Sequence, residues 1–96
     1  MTIDEFQNRI EEIYFDRDSA RGVSGTFMWF TEEVGELARA VRTGTKDDLR
    51  KEFADVFAWL VSLASITGVR MEDAIEKYAH GCPCCRKTPC ECSRKL

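Results

Sequence analysis

Four acidic residues near the middle of the chain have the types and the spacing of a metal site. They form a Glu-x-x-Glu pair and, after 15 further residues, a Glu-x-x-Asp pair: Glu33, Glu36, Glu52 and Asp55. Residues three apart on a helix project from the same side, so each run presents its carboxylates together. Such carboxylates repel one another and have raised pKa values unless a cation neutralises them. Because the donors are all oxygens, they favour Mg²⁺, with Mn²⁺ as a substitute.

A second candidate metal site lies in the C-terminal segment, which holds all 5 cysteines of the chain. Their C-x2-C-x4-C-x-C arrangement favours zinc over disulfides in a reducing compartment. The predicted zinc ligands are Cys82, Cys85, Cys90 and Cys92, with Cys84 spare and His80 as an alternative ligand. Four thiolates leave no open coordination position, so the site would be a structural clip rather than a second active site. The alternative is a disordered, oxidation-prone extension without a metal.

The elements that must position these residues are all helical, because no segment alternates apolar and polar residues over the length of a strand. Capping boxes at Thr2 and Thr45 predict helix starts there, and Gly44 and Gly68 are natural helix ends. The apolar spacing predicts helices over residues 3–14, 24–42, 45–67 and 71–80, and residues 17–25 are a predicted break, part of which could be helical. The predicted fold class is all-α, an antiparallel helical hairpin with flanking helices.

The two acidic pairs are mirror images about Gly44, the predicted turn of the hairpin. Glu36 and Glu52 each lie 8 positions from it, Glu33 and Asp55 each lie 11, and Trp29 and Trp59 each lie 15. Antiparallel helices would bring both pairs to one flank, where four carboxylates meet. The alternative is that these acids form solvated helix faces paired with basic neighbours, among them Lys51. Mirrored acids with mirrored tryptophans beyond them favour the metal site.

The third predicted helix has more apolar surface than one neighbour covers, because Phe57, Val61 and Ala64 lie off its main stripe. We therefore expect a homo-oligomer, a dimer or tetramer resembling a four-helix bundle, that buries this second face.

Charge and the N-terminal sequence restrict the partners and the location. The chain has 14 basic and 17 acidic residues, a net charge of -3, which makes nucleic acid and anionic membranes unlikely partners. Residues 1–80 carry a net charge of -6 and residues 81–96 carry +3. We expect an all-α domain over 1–80 followed by a basic, cysteine-rich tail over 81–96. The N-terminus has no signal-peptide pattern, which predicts a cytoplasmic protein.

The acidic motifs carry a family resemblance. Glu32-Glu33-Val34-Gly35-Glu36 followed by Glu52-Phe53-Ala54-Asp55 resembles the EExxE and ExxD signature of the MazG-type, all-α nucleoside triphosphate pyrophosphohydrolases. The preceding segment Gly25–Phe30 is similar to that family's lead-in, and the resemblance covers about residues 17–80. It implies Mg²⁺-dependent cleavage of a (deoxy)nucleoside triphosphate to the monophosphate and pyrophosphate, in assemblies of paired hairpins. Many such enzymes are thought to remove noncanonical nucleotides.

The resemblance also implies roles for individual residues. Glu33, Glu36, Glu52 and Asp55 would hold Mg²⁺, and Glu32 would be the general base or an outer ligand. Trp29 and Trp59 are candidates for contact with the nucleotide, with helix packing as the alternative. Lys51, Arg17 and Arg21 are candidate phosphate ligands, with solvated or carboxylate-paired charges as the alternative. A different class of function also fits, a non-catalytic helical interaction module with a zinc-binding tail.

Overall fold

The computed structural model describes residues 1–93, and every regular element in that range is helical. Helix α1 spans Ile3–Thr43, α2 spans Lys46–Ile66 and α3 spans Met71–Ala74, followed by a 3-10 helix over Ile75–Tyr78. The predicted all-α fold class is confirmed. Residues 94–96, the end of the predicted tail, lie outside the described residues.

Both predicted capping boxes are present. The Glu5 amide donates to Thr2 Oγ1 at 3.0 Å, and the Thr2 amide donates to Glu5 Oε1 at 2.7 Å. At α2 the Asp48 amide donates to Thr45 Oγ1 at 3.2 Å, and the Thr45 amide donates to Asp48 Oδ2 at 2.9 Å. Each box satisfies amides that have no partner within the helix, which explains why α1 and α2 begin where they do.

The turn between α1 and α2 depends on the small size of Gly44. Its amide donates to the Ala40 carbonyl oxygen at 2.9 Å, which ends α1. A Cβ atom at this position would lie 2.8 Å from that same oxygen. It would also lie 3.1 Å from the Cβ of Asp48 on α2, so the glycine leaves room for the last turn of α1 and the first turn of α2 to meet.

The break predicted over residues 17–25 is much narrower in the structure. Only Gly22 leaves the helical conformation, with φ 87° and ψ 172°, and helix continues on both sides of it. A straight helix of 41 residues would be about 62 Å long, whereas the longest dimension of the molecule is 42 Å. The chain therefore folds back at Gly22 into an N-terminal arm (residues 3–21) and a C-terminal arm (residues 23–43).

The N-terminal arm covers the second apolar face of α2. Phe6 stacks on Phe57 with ring centroids 5.2 Å apart. Val61 is fully buried, and Ala64 and Ile10 are also buried. The expectation that another subunit buries this face is wrong, because the arm of the same chain does so once Gly22 turns it back.

A buried glutamine joins the N-terminal arm to the end of α2. Gln7 Nε2 donates to Ser65 Oγ at 3.0 Å and to the Val69 carbonyl oxygen at 2.9 Å. Its Oε1 accepts from the Met71 amide at 2.8 Å. The fully buried side chain thus satisfies groups on both sides of the turn that follows α2.

The end of α2 and the last helical segment are close to the prediction but shorter. The chain leaves α2 through Gly68, at φ 78°. The predicted helix over 71–80 is one short α-helix and a 3-10 turn that ends at Tyr78. Within residues 1–93 no single helix is long and apolar enough to cross a membrane; only α2 and Met71–Tyr78 taken together have the length and composition for it, and they are bent by 98°.

Candidate active site

The hairpin has the register that the mirrored sequence predicts. Trp29, on the C-terminal arm, stacks on Trp59 of α2 with ring centroids 6.2 Å apart and an interplanar angle of 18°. These residues lie at equal distances in sequence from Gly44. The two acidic pairs, one and two turns closer to Gly44, are consequently brought level on the two helices.

Three of the acids form a compact group. Glu33, Glu52 and Asp55 each offer a carboxylate oxygen, and these oxygens lie within 4.8 Å of one another. Glu36 is half-buried and is not part of this closest group, although its charge acts on Glu33. Glu32 is exposed, and its charge also acts on Glu33. The predicted meeting of four carboxylates is thus a group of three with Glu36 at its edge.

The electrostatics of the group fit a bound cation. Burial raises the pKa of Glu33, and the charges of Asp55, Glu52, Glu36 and Glu32 raise it further. Glu52 Oε2 is buried and has no hydrogen-bond partner, which is rare for a buried polar atom. A divalent cation would relieve the repulsion and provide the missing partner. The donor set of carboxylate oxygens suits a hard ion such as Mg²⁺.

A cavity of about 170 Å³ adjoins the acidic group. Asp55 and Trp59 line one side of it, and Arg17 and Arg21 of the N-terminal arm line the other. The Arg21 guanidinium lies over the Trp59 ring, 4.8 Å from the centroid. Two of the predicted phosphate ligands are therefore brought beside a predicted metal ligand.

The residues that orient Arg21 were not predicted from the sequence. Its Nη1 donates to Asp18 Oδ1 at 2.8 Å and to Thr26 Oγ1 at 3.3 Å, across the kink at Gly22. Asp18 is only 4% exposed and Thr26 is fully buried. The spacing of Asp18 and Arg21, three residues apart, is a signal for a helical ion pair, but it applies only if this segment is helical.

Lys51, the third predicted phosphate ligand, is not brought to this cavity. Its side chain is exposed. Its charge helps to lower the pKa of Asp48, after the larger effect of the hydrogen bonds that Asp48 makes with Thr45.

The C-terminal segment brings together the four cysteines predicted as zinc ligands. The sulfurs of Cys82, Cys85, Cys90 and Cys92 lie within 4.8 Å of one another. Cys84 is exposed, and neither it nor His80 belongs to the group. Backbone amides of Cys85 and Cys84 hydrogen-bond to the Cys82 sulfur and lower the pKa of that thiol to about 6. Hydrogen bonds with neighbouring cysteines, Cys90 first, raise the pKa of Cys92.

Comparison with known proteins identifies the family. A search of curated proteins found no match. The family model for the MazG nucleotide pyrophosphohydrolase domain matches residues 22–85. The match spans two thirds of the chain and contains the whole hairpin, including Glu32 and the four predicted Mg²⁺ ligands. The chain belongs to the MazG nucleotide pyrophosphohydrolase family.

Proposed function

We propose that this protein hydrolyses nucleoside or deoxynucleoside triphosphates to the monophosphate and pyrophosphate in the presence of Mg²⁺. The observation that carries the proposal is the group of Glu33, Glu52 and Asp55 within 4.8 Å, with one buried Glu52 oxygen that has no partner. Family membership supports a nucleotide pyrophosphohydrolase in general. Removal of noncanonical nucleotides would be a role consistent with this reaction.

The proposed ligands of Mg²⁺ are Glu33, Glu52 and Asp55, together with Glu36 at the edge of the group. The same oxygens would also bind Mn²⁺. When bound, the ion supplies positive charge and Lewis acidity to the triphosphate. The carboxylates hold this charge at the flank of the hairpin. Without it they would repel a polyanionic substrate.

The reaction forms a bond between a water oxygen and the α-phosphorus and breaks the anhydride bond between the α- and β-phosphates. Pyrophosphate leaves, and one water proton must be accepted. Glu32 is the proposed general base, because its carboxylate is exposed and directly precedes Glu33 in the chain. Its other proposed role is to orient the ligands from outside the metal shell.

Aromatic and cationic side chains beside the acids are proposed to bind the rest of the substrate. Trp29 and Trp59 form a stacked pair next to the acids, with Trp29 48% exposed, and would contact the base. Arg17 and Arg21 line the adjoining cavity and would meet phosphate oxygens. Lys51 would reach the phosphates only by a change of side-chain conformation.

We also propose that two hairpins associate through an apolar edge that the single chain leaves exposed. On the C-terminal arm Phe27, Val34 and Val41 recur every seven residues, and on α2 Phe53 and Leu60 do the same. Phe53 is 59% exposed. Seven residues are close to two helical turns, so each set forms one stripe, and a second copy presents the same stripes for a four-helix bundle. Light scattering on Phe53→Glu, compared with the wild type, tests this dimer or tetramer.

The reaction is tested by incubation with a panel of nucleoside triphosphates and Mg²⁺, with separate detection of pyrophosphate and orthophosphate. Pyrophosphate and monophosphate in equal amounts are expected. Asp55→Asn and Glu36→Gln should each lower turnover by at least about 100-fold. Glu12→Gln, on the exposed side of the N-terminal arm, is the matched control and should keep full activity. Release of orthophosphate would contradict the assigned bond, and Mg²⁺ binding without turnover would favour the interaction module.

A further inference from the structure

The segment after the 3-10 helix has a compact backbone that the proposed hydrolysis does not use. The Arg86 amide donates to the Cys82 carbonyl oxygen at 2.7 Å, and the Cys82 amide donates to the Lys87 carbonyl oxygen at 3.1 Å. A Cβ atom on Gly81, whose φ is 100°, would lie 2.7 Å from Thr88 Oγ1. These contacts fold residues 82–87 into a tight loop with Cys82 and Cys85 on it.

The four sulfurs of this segment have the spacing of a tetrahedral site. Zinc–sulfur bonds of about 2.3 Å place the sulfurs of a regular tetrahedron about 3.8 Å apart. Cys82 Sγ and Cys92 Sγ are 3.7 Å apart, and all four sulfurs lie within 4.8 Å of one another. A disulfide requires about 2.05 Å. The distances thus describe a cage of four separate thiols that a metal ion would occupy with small side-chain shifts.

Backbone amides also point at the sulfurs. The Glu91 amide donates to Cys85 Sγ at 3.4 Å, and the Cys92 amide donates to Cys90 Sγ at 3.3 Å. Hydrogen bonds from backbone amides to metal-binding sulfurs orient the thiolates and stabilise their negative charge. They occur on both halves of the segment, the Cys82–Cys85 half and the Cys90–Cys92 half.

We propose that Cys82, Cys85, Cys90 and Cys92 bind one Zn²⁺ ion in a closed structural site. Thiolate ligands select zinc over the hard cations that suit the acidic group. With four protein ligands the ion has no open position for water or substrate. The ion links two halves of a segment that has no long helix of its own, so its role is to hold residues 82–92 in their folded form.

Cys84 provides a matched control for the ligands. It lies between two of them in sequence, but its side chain is exposed and outside the group. The full-length protein, purified under reducing conditions and reconstituted with zinc, is analysed by elemental mass spectrometry. The wild type and Cys84→Ser should each hold one zinc ion per chain. Cys85→Ser and Cys90→Ser should bind zinc at least about 100-fold more weakly in competition with a chromophoric chelator.

Cobalt substitution and an acidic-site variant complete the test. Co²⁺ in the wild type should give the visible absorption of a tetrahedral thiolate complex, and Glu52→Gln should leave that spectrum and the zinc content unchanged. Circular dichroism checks that each variant keeps the helical hairpin, which contains none of the cysteines. The proposal is overturned if the reconstituted wild type holds no zinc, if Cys84→Ser loses zinc as fully as Cys85→Ser, or if the zinc is lost in Glu52→Gln instead.

Discussion

Replacing Glu33 by Gln should stabilise the metal-free protein at neutral pH. The change keeps the shape of the side chain and removes its charge from a group of three carboxylates. The oxygens lie within 4.8 Å of one another, and at that upper limit two unit charges repel by about 0.9 kcal/mol in bulk water and about 3.5 kcal/mol at an effective dielectric constant of about 20. Glu33 takes part in two such pairs, with Glu52 and with Asp55.

We adopt the bulk-water figure because Asp55 is exposed, which gives about 2 kcal/mol for the two pairs. Salt at 0.1 M and relaxation of the side chains reduce this, so the expected gain is about 1 kcal/mol. For a domain of this size that corresponds to an increase in Tm of about 4–8 °C. The exposed control Glu12→Gln should change the stability by less than about 0.5 kcal/mol.

The effect has a defined dependence on pH. Folding raises the pKa of Glu33 from its ordinary value of 4.5. The folded state then binds more protons than the unfolded state between that value and the raised one, so stability falls as the pH rises through this window. The stabilisation by Glu33→Gln should be absent below about pH 4 and complete above the raised pKa.

Thermal unfolding followed by circular dichroism in EDTA, at pH 4 and pH 7.5, measures the effect. Added Mg²⁺ should then raise the Tm of the wild type more than that of Glu33→Gln, because the variant has lost a ligand. If Glu33→Gln lowers the Tm in EDTA at pH 7.5, or if its effect matches that of Glu12→Gln, the carboxylates do not repel one another as described.

Four further substitutions, all in α1, give testable predictions. Gln7→Leu should lower the free energy of unfolding by about 2–4 kcal/mol in urea denaturation, because it leaves buried backbone groups without partners; a loss below 1 kcal/mol would contradict this. Asp18→Asn should raise KM for the triphosphate while kcat changes less, because Arg21 loses its charged partner; unchanged KM would remove Arg21 from the site. Gly22→Ala should lower the free energy of unfolding by about 1–3 kcal/mol, since the backbone conformation of Gly22 is nearly restricted to glycine. Gly35→Ala, inside a helix and with free space around it, should raise the free energy of unfolding by about 0.5–1 kcal/mol in the same urea denaturation.

The hairpin and its register were predictable because both follow from local rules. The capping boxes at Thr2 and Thr45 mark helix starts by short-range hydrogen bonds, and both are present. Once the turn is placed at Gly44, the fixed rise of a helix determines which residues are level across the hairpin. The stacked pair of Trp29 and Trp59 confirms that count.

The position of the N-terminal arm was not predictable from the same rules. Two glycines, Gly22 and Gly25, lie in the segment read as a break, and helical periodicity does not tell which of them leaves the helix. The choice decides which face of α2 the arm covers. A stripe such as Phe57 and Val61 indicates that some element packs there, but not whether that element belongs to the same chain or to another.

Because the position of the N-terminal arm was not predictable, one residue of the candidate site was not predicted either. Asp18 lies in the segment predicted as a break and was not singled out by its sequence context, whereas in the structure it is buried against Arg21. For Glu36 the sequence predicts the position on the helix but not the side-chain conformation. Equal spacing from Gly44 places Glu36 level with Glu52, but it does not determine whether the Glu36 oxygens join the closest group.

The arm that folds back at Gly22 contributes both to the packing of the fold and to the candidate site. The family match begins at Gly22 and contains every acidic residue of the candidate site. The arm before Gly22 contributes Arg17 and Arg21 to the cavity that Asp55 also lines. The face of the arm that carries Phe6 covers α2, and the segment that carries Arg21 lies over Trp59. Because one continuous helix makes both contacts, a change that loosens its packing should also displace the guanidinium groups from the acidic group. Substrate affinity in this protein is thus expected to depend on residues, such as Phe6, that are remote from the carboxylates.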